Sequence, residues 1–310
     1  MRAVFFGTPD FAAYILRFLA KKHLPLIGIV TQPDRRRGRN QKVQASSVKI
    51  AALDLYPNVP LFQPAKASDP QFIEAVKKLA PDIFIVVAYG QILRKQLLDL
   101  VKLPINIHAS LLPKYRGAAP MQRALMAGES ETGITIMKMN EKMDEGDSLL
   151  QESIQVEENM TLGELEPLMK SLACKLLYET LQNLPPLRPQ NHEEASYAPK
   201  LLSEELFIDW NRSALEIHNQ IRALSPKPGA WSFIYFPEQT RCKILKTGLA
   251  KDISQKYVPG EVLSSKNRLL IGTKKGVIEL FTLQIAGKNS ITAPDFLRGR
   301  GQGSFSFTEN

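Results

Sequence analysis

The stretch Arg2-Ala-Val-Phe-Phe-Gly-Thr-Pro-Asp10 joins a short apolar run to a turn that contains Gly and Pro. After it, Phe11, Ile15, Phe18 and Leu19 recur at the three- and four-residue spacing of a helix with one buried face. A Pro and an acidic residue just before such a periodic segment are typical of a helix N-terminus. The opening of the chain therefore predicts a strand, a turn and a helix, in that order.

Working outward from this unit, similar apolar runs recur along the first half of the chain. They are Leu26–Thr31, Ile83–Ala88 and Ile105–Ala109. Segments of helix length are expected near residues 46–55, 68–79, 91–101 and 118–127, and extended segments at 132–139 and 148–156. Near-continuous apolar strands that alternate with helices are typical of a parallel sheet covered on both faces. The predicted fold class of this part is α/β, a doubly wound, mostly parallel sheet of the Rossmann type.

The second half of the chain has a different pattern. A long helix is predicted from Thr161 to Leu184, and a polar, proline-rich segment follows it. Beyond a short helix near residues 213–224, strand-like runs punctuated by Gly and Pro are expected at about 231–236, 241–246, 258–263, 268–273 and 277–283. Five short strands predict a small OB-like β-barrel. We therefore expect a first domain at residues 1–189, a linker at 190–206 and an OB-like domain at 207–310.

The charge of the chain is unevenly distributed. Its 310 residues include 40 Lys and Arg against 31 Asp and Glu, a formal net charge of +9, and residues 207–310 alone hold 15 basic and 8 acidic side chains. A basic domain suggests a polyanionic partner, although it serves solubility equally well. Cys174 and Cys242 have no disulfide or metal-ligand spacing, and no apolar run reaches the length of a membrane span. We expect a cytoplasmic protein, monomeric by default, with no signal peptide, no membrane association and no metal.

One strand end carries residues suited to chemistry. Asn106 and His108 are two positions apart on the strand predicted at 105–109, so their side chains project to the same face. At the carboxyl end of a parallel strand, that face opens into the crevice where doubly wound sheets bind ligands. An isolated Asn-X-His is more often a pair that bonds to neighbouring backbone. The loop Ser110–Pro120 could hold a ligand over the strand end, and an Asp of Met143–Asp147 could orient or deprotonate a His, although an ordinary acidic turn has the same composition.

A second basic feature is the stretch Asp34-Arg-Arg-Arg-Gly-Arg-Asn-Gln-Lys42. Its five positive charges surround a Gly and polar residues, which is typical of a solvated loop. Together with the basic C-terminal domain it has the charge pattern of a nucleic-acid partner. A plain solvated surface segment is the alternative.

Eight short motifs follow one another along the chain. They are Phe6–Phe11, Thr31–Asp34, Val87–Gly90, Asn106–His108, Ser110–Pro113, Arg116–Pro120, Glu131–Gly133 and Met143–Asp147. In this order they resemble the methionyl-tRNA formyltransferase family. The resemblance is strong over the N-terminal two-thirds of the chain and weaker in the tail. Arg35–Arg37 and Lys114-Tyr115 depart from the commoner forms of their motifs, which bears on tRNA contacts more than on folate chemistry.

The resemblance implies transfer of a formyl group from 10-formyltetrahydrofolate to the α-amino group of methionine on initiator tRNA, without a metal. Asn106 and His108 would stabilise the oxyanion of a tetrahedral intermediate, and Asp144 would orient His108 or relay protons. Folate contacts are expected from Ser110, Leu111, Leu112, Pro113, Val87, Ala88, Tyr89 and Gly90. Contacts with tRNA are expected from Arg35, Arg36, Arg37, Arg39 and Lys42, and from the C-terminal barrel.

Three other functions fit parts of the sequence. A dinucleotide-dependent dehydrogenase would suit the α/β opening, but Gly7 stands alone where a G-x-G-x-x-G turn is required. A folate-dependent formyltransferase that acts on a sugar or ribonucleotide amine shares the Asn, His and Asp but has no need of an Arg-rich loop. A non-catalytic RNA-binding protein would have no use for Asn106, His108 and Asp144.

Overall fold

The structure is a computed structural model that describes residues 1–37, 42–235, 238–250, 252–253, 257–263, 267–299 and 305–307. The chain forms two compact units, and each takes three segments of the sequence. The first unit comprises Met1–Gly117, Gly133–Ile154 and Pro167–Ala198, and the second unit comprises Ala118–Thr132, Gln155–Glu166 and Pro199–Asn310.

Helices and strands are numbered in chain order. They are β1 (Ala3–Gly7), α1 (Asp10–Lys21), β2 (Leu26–Val30), β3 (Arg35–Arg37), β4 (Lys42–Gln44), α2 (Ser47–Leu55), β5 (Leu61–Phe62), α3 (Pro70–Lys78), β6 (Ile83–Val87), α4 (Lys95–Leu98), β7 (Leu103–His108), β8 (Arg116–Gly117), α5 (Pro120–Ala127), β9 (Glu131–Lys138), β10 (Ser148–Gln155), α6 (Leu162–Gln182), β11 (Tyr197–Ala198), α7 (Ala214–Leu224), β12 (Ala230–Tyr235), β13 (Gln239–Ala250), β14 (Leu269–Gly272), β15 (Val277–Ile285), β16 (Ile291–Thr292) and α8 (Ala293–Gly299).

The first unit is built around a seven-stranded sheet with the order β10-β9-β7-β6-β1-β2-β5. β1 pairs in parallel with β2 and β6, β6 pairs in parallel with β7, and β9 joins antiparallel to β7. β1 and β6 are buried along their whole length, which explains why they appear in the sequence as uninterrupted apolar runs. The predicted doubly wound, mostly parallel sheet is confirmed.

The second unit contains a five-stranded antiparallel sheet. β12, β13, β15 and β14 lie in this order, and β16 pairs with β15. The buried face of α7 packs in the core of this sheet together with Trp210 and Phe307. α7 begins at a capping box in which Ser213 and Glu216 bond to each other's backbone N–H groups. The predicted small barrel-like domain after the α/β domain is confirmed.

One predicted strand of the second unit is absent from the observed sheet. Residues 258–263 form an isolated bridge between Val262 and Ile271 and three backbone hydrogen bonds with β14, but no regular strand. Pro259 has no N–H for a strand ladder, and Gly260 adopts φ 81°, a conformation of turns. The fifth strand is β16 instead, a two-residue strand that is too short to produce a periodic pattern.

In the part of the chain that the structure describes, no helix is both long and apolar enough to cross a membrane.

Candidate active site

Asn106 and His108 lie on β7, an inner strand of the seven-stranded sheet. Their strand neighbours are Val86 on one side and Met137 and Thr135 on the other. The period of two along a strand puts both side chains on the same face, as the sequence predicts. The His108 side chain is only 5% exposed, so its ring nitrogens depend on partners within the protein.

The structure brings Asp144 to both of these residues. Its Oδ1 lies 3.4 Å from Asn106 Nδ2, and its Oδ2 lies 3.5 Å from His108 Nδ1. The backbone N–H of Gly117 also donates to Oδ2, at 2.9 Å. Asp144 has φ 55°, the left-handed conformation that Asp tolerates better than most residues. The three residues that the sequence singles out for catalysis therefore form one cluster.

The contacts of His108 determine which ring nitrogen carries a proton. Nε2 lies 2.9 Å from the backbone carbonyl oxygen of Tyr115. A carbonyl oxygen can only accept, so Nε2 must donate, and in a neutral imidazole Nδ1 is then the acceptor. Nδ1 and the Asp144 carboxylate are then both acceptors, so a direct hydrogen bond between them requires a second proton. Nδ1 is thus the ring nitrogen that faces the Asp144 carboxylate.

The loop after β7 is fixed by side chains that sequence reasoning does not single out. The Thr135 hydroxyl donates to the Ser110 carbonyl at 2.6 Å and accepts from the backbone N–H of Leu112 at 3.1 Å. Gln151 donates to both Thr135 Oγ1 and the Leu112 carbonyl, at 2.8 Å each. The hydroxyl of Ser110 donates to the carbonyl of Lys114 at 2.6 Å. The polar groups of Ser110 and Leu112 are thus used within the chain, and the neighbouring Leu111 and Pro113 are partly exposed.

The proline-rich segment, residues 185–200, contacts this loop and is called the strap below. Within it, β11 pairs in parallel with β8. Ser196 accepts from the backbone N–H of Tyr115 through Oγ at 3.0 Å and from that of Arg116 through its carbonyl at 2.9 Å. Gly117 has φ 125°, and a Cβ atom there would lie 2.7 Å from the carbonyl oxygen of Ala198. The close approach of strap and loop therefore requires glycine at this position.

The same strap reaches the turn that carries Asp144. Gln190 Nε2 donates to the carbonyl oxygens of Asp144 at 2.9 Å and Gly146 at 2.6 Å. Gln190 Oε1 accepts from Nε and Nη2 of the buried Arg116, at 3.1 and 2.7 Å. Arg116 Nη2 also lies 3.0 Å from His192 Nδ1. Sequence reasoning misses Gln190, because it assigns residue 190 to a linker.

The segment Val87–Gly90 follows the carboxyl end of β6. Val87 and Tyr89 are buried, whereas Ala88 and Gly90 are exposed. The Tyr89 ring packs against Phe6 with ring centres 5.5 Å apart, and burial raises the pKa of its hydroxyl to about 12. Any ligand contact from this segment therefore has to come from Ala88, Gly90 or the backbone.

A cavity of about 490 Å³ opens beside the segment that leads to Asp144. Leu98, Val101, Pro104 and Met139 give it an apolar surface. The other residues that line it are Lys95, Asp99, Lys102, Lys138, Asn140, Glu141 and Lys142. None of the eight residues predicted to contact folate is among them.

The Arg-rich stretch, residues 34–42, is predicted from the sequence to be a solvated loop. In the structure its two ends form paired strands, and we call this pair the Arg-rich hairpin. β3 pairs antiparallel with β4, and Arg35, Arg36 and Lys42 are exposed. Arg37 ends β3, and Arg39 lies outside the described residues. The hairpin is anchored by Asp34, which accepts from Lys49 Nζ at 2.7 Å and from Gln63 Nε2 at 2.8 Å. These contacts hold the pKa of the Asp34 carboxyl below its usual value.

The sequence matches two family patterns that together cover most of the chain. Residues 1–181 match the pattern described as formyl transferase, and residues 200–301 match the pattern described as formyl transferase, C-terminal domain. The first match contains Asn106, His108 and Asp144.

Among solved structures, two with similar folds are a sugar 3N-formyl transferase, WlaRD, and an N-formyltransferase from Helicobacter canadensis. The first has a TM-score of 0.64 at 20% identity and covers 93% of this chain and 99% of its own. The second has a TM-score of 0.63 at 20% identity and covers 90% of this chain and 98% of its own. At this level of identity the likeness shows the fold.

Relatives identified by sequence share a higher identity with this chain than these structures do. A methionyl-tRNA formyltransferase from Protochlamydia amoebophila is 39% identical over 317 residues, which cover 100% of this chain and 98% of the relative. Another from Pelotomaculum thermopropionicum is 43% identical over 305 residues, which cover 96% of each chain. The chain therefore belongs to the methionyl-tRNA formyltransferase family of formyl transferases.

Proposed function

We propose that this protein transfers the formyl group of 10-formyltetrahydrofolate to the α-amino group of methionine on initiator tRNA. The observation that carries this proposal is the cluster of Asn106, His108 and Asp144 at the end of β7. Its support is the identity of about 40% along the full length of relatives that bear this activity in their names.

The reaction needs two things from the protein, stabilisation of a developing negative charge and a route for one proton. The amine of methionine attacks the formyl carbon, the bond between that carbon and the folate N10 breaks, and a proton passes from the amine to N10. Negative charge develops on the formyl oxygen during the attack, so hydrogen-bond donors aimed at that oxygen lower the barrier. The Asn106 amide is such a donor, and so is His108 when Nδ1 carries a proton.

Asp144 has the second role, which concerns the proton. Because the Tyr115 carbonyl holds a proton on Nε2, only Nδ1 of His108 can change its protonation without breaking that bond. At 3.5 Å the Asp144 carboxylate acts on His108 through its charge, and the Nδ1–H donates to the formyl oxygen. Asp144 thereby orients His108 and, through a water molecule, provides a route for the proton that leaves the amine.

The proposed folate site lies beside this cluster, at the carboxyl ends of β6 and β7. Ala88 and Gly90 follow β6 and are exposed, and Leu111 and Pro113 follow β7 and are partly exposed. Doubly wound sheets bind their ligands at the carboxyl ends of the strands. The cavity of about 490 Å³ lies at the other end of β7, beside Pro104, and is not the site proposed for folate.

The base of the Arg-rich hairpin presents positive charge suited to the phosphates of tRNA. Neutralising an exposed residue of this hairpin, as in Arg36→Ala, should raise the KM for tRNA and make it less dependent on salt, because a phosphate contact releases counterions. Lys77→Ala, which removes a positive charge from α3, is the matched control. A KM with unchanged salt dependence in Arg36→Ala would speak against the contact, and the same test applies to Arg39.

The decisive experiment offers the purified protein 10-formyltetrahydrofolate with initiator or elongator Met-tRNA, side by side. We expect formylation of the initiator species alone, and its loss in His108→Ala. Formylation of a sugar or ribonucleotide amine in place of Met-tRNA would identify the protein as an N-formyltransferase with a different acceptor. Absence of transfer to every acceptor would refute it.

A further inference from the structure

The turn that carries Asp144 is held by a residue from a distant part of the chain. Both hydrogens of the Gln190 amide are used, one on the carbonyl of Asp144 and one on that of Gly146. Asp144 is in the left-handed conformation, which is unfavourable for an L-residue unless its surroundings compensate. Two hydrogen bonds from one side chain, on either side of Glu145, are such a compensation.

The orientation of this amide is fixed by charge. Arg116, which is only 2% exposed, donates two N–H groups to Gln190 Oε1. An inverted amide would place its NH2 group against the guanidinium and its oxygen against two carbonyl oxygens, so only one of the two orientations satisfies the contacts. Glu145 Oε1 lies 3.7 Å from Arg116 Nη1, which ties the same turn to the guanidinium a second time.

The direction of the Asp144 carboxylate follows from this arrangement. With the backbone of the turn fixed, Oδ2 lies within 2.9 Å of the Gly117 N–H and 3.5 Å of His108 Nδ1. Gly117 follows Arg116 directly on β8, so the residue that holds Gln190 and the residue that holds the carboxylate are neighbours in one strand. Hydrogen bonds therefore run from Arg116 to Gln190, from Gln190 to Asp144 and from Gly117 to Asp144, and the peptide bond between Arg116 and Gly117 completes the ring.

We propose that Gln190 is a positioning residue for formyl transfer, which aims the Asp144 carboxylate at His108 by clamping the backbone of residues 144–146. This inference rests on the proposed function, because Asp144 has a role in proton transfer only if that function is correct. Gln190 touches no substrate atom in this scheme. Its effect on turnover passes through Asp144, and it contributes nothing to the binding of folate or tRNA.

The sharpest variant is Gln190→Glu. It preserves the shape of the side chain and an oxygen for Arg116, but at pH 8 it replaces the amide donor with a carboxylate oxygen that faces two carbonyl oxygens. We expect kcat to fall about 10- to 100-fold, the size of effect that a small misplacement of a reacting group produces, with KM for both substrates close to the wild-type values. Gln190→Ala repeats the test without a new charge. Gln71→Glu, the same change at an exposed glutamine of α3, is the matched control and should behave as wild type.

A double-mutant cycle separates positioning from a general loss of structure. If Gln190 acts through Asp144, then Gln190→Glu should have no further effect on kcat in an Asp144→Asn background. An equal loss in both backgrounds, or a wild-type kcat in folded Gln190→Glu and Gln190→Ala, would overturn the proposal.

Amide hydrogen exchange gives a reading that does not depend on activity. The Gly117 N–H is bonded to Asp144 Oδ2, so its exchange should be faster in Gln190→Glu and unchanged in Gln71→Glu. Unchanged exchange at Gly117 in the Gln190 variants would overturn the positioning role even if Met-tRNA is formylated. Faster exchange in a protein that does not formylate Met-tRNA would support the clamp and reject the proposed function.

Discussion

His108 in the first unit and His218 in the second unit have similar surroundings on one side of the ring. The two residues are 5% and 1% exposed. In each, Nε2 lies 2.9 Å from a backbone carbonyl oxygen, that of Tyr115 for His108 and that of Glu158 for His218. Both histidines therefore carry a proton on Nε2, and the two differ in what faces Nδ1.

The partner of Nδ1 decides what each histidine can do. Nδ1 of His218 lies 2.9 Å from the hydroxyl of Thr247, which brings its own proton and satisfies a neutral ring. Burial lowers the pKa of His218, and the positive charge of Arg222 lowers it further, against the effect of Glu158. Nδ1 of His108 faces the carboxylate of Asp144, which brings a charge and no proton. Two buried histidines with the same contact at Nε2 therefore differ at Nδ1, where one faces a carboxylate and the other a hydroxyl.

The largest expected effect separates the two histidines by activity. His108→Ala should lower kcat about 100- to 1,000-fold, because a donor to the developing oxyanion is lost. KM for 10-formyltetrahydrofolate should change little, since that donor acts mainly in the transition state. Steady-state kinetics with the folate varied measure both constants. Equal losses of kcat and of folate affinity would contradict the role assigned to His108.

The second effect separates them by stability. His218→Ala should reduce the free energy of unfolding by about 2 kcal/mol, because the carbonyl of Glu158 and the hydroxyl of Thr247 lose a buried partner. Turnover at saturating substrates should remain close to that of the wild type. Urea denaturation and kinetics on the same preparation test this. A fall in kcat as large as that of His108→Ala would abolish the distinction between the two histidines.

A smaller effect isolates the hydroxyl that distinguishes His218. Thr247→Val keeps the shape of the side chain and removes one buried hydrogen bond, so the free energy of unfolding should fall by about 1 kcal/mol. Thr240→Val, in a less buried position on the same strand, is the matched control for the valine substitution. Equal destabilisation by the two variants would show that the bond to His218 contributes nothing of its own.

The smallest effect is a dependence on pH. The pKa of His218 is lower in the folded chain than its ordinary value of 6.5, so below that pH the unfolded chain binds a proton that the folded chain does not. The free energy of unfolding should therefore fall as the pH drops through about 6.5 and downward to the folded pKa, and this contribution should be constant above it. His218→Gln should lose part of this dependence in urea denaturation at successive pH values. An identical slope in the variant and the wild type would rule His218 out as its source.

The sequence predicts the central sheet and the placement of Asn106 and His108 for the same physical reason. Strands buried on both faces leave uninterrupted apolar runs, and positions two apart in such a strand share a face. The same reasoning does not reach Asp144, because a Met-Asp-Glu-Gly-Asp turn has the composition of many surface turns. Only the resemblance to a known family singles out Asp144, because its closeness to His108 and Asn106 depends on contacts between distant segments.

Gln190 and Thr135 show what local sequence patterns leave out. Gln190 bonds to a turn more than forty residues earlier in the chain, and its neighbours are the prolines and polar residues that are typical of a linker. Thr135 is a buried residue in a strand, and its sequence position does not distinguish it from a β-branched residue that only packs in the core. Both roles depend on hydrogen bonds between distant segments, which leave no periodic pattern behind.

The way the two units share the chain has a consequence for its synthesis. α5 belongs to the second unit and packs on α7, yet the ribosome completes α5 and the whole of the first unit before it begins α7. A nascent chain that has reached Ala198 can finish the sheet that carries His108, while Met126 of α5, which packs against the core of the second unit, still lacks its partner. Domains fold in the order in which they leave the ribosome, and exposed apolar surface on unfinished chains attracts chaperones and promotes aggregation. The growing chain is therefore most vulnerable between the completion of its first unit and the emergence of α7.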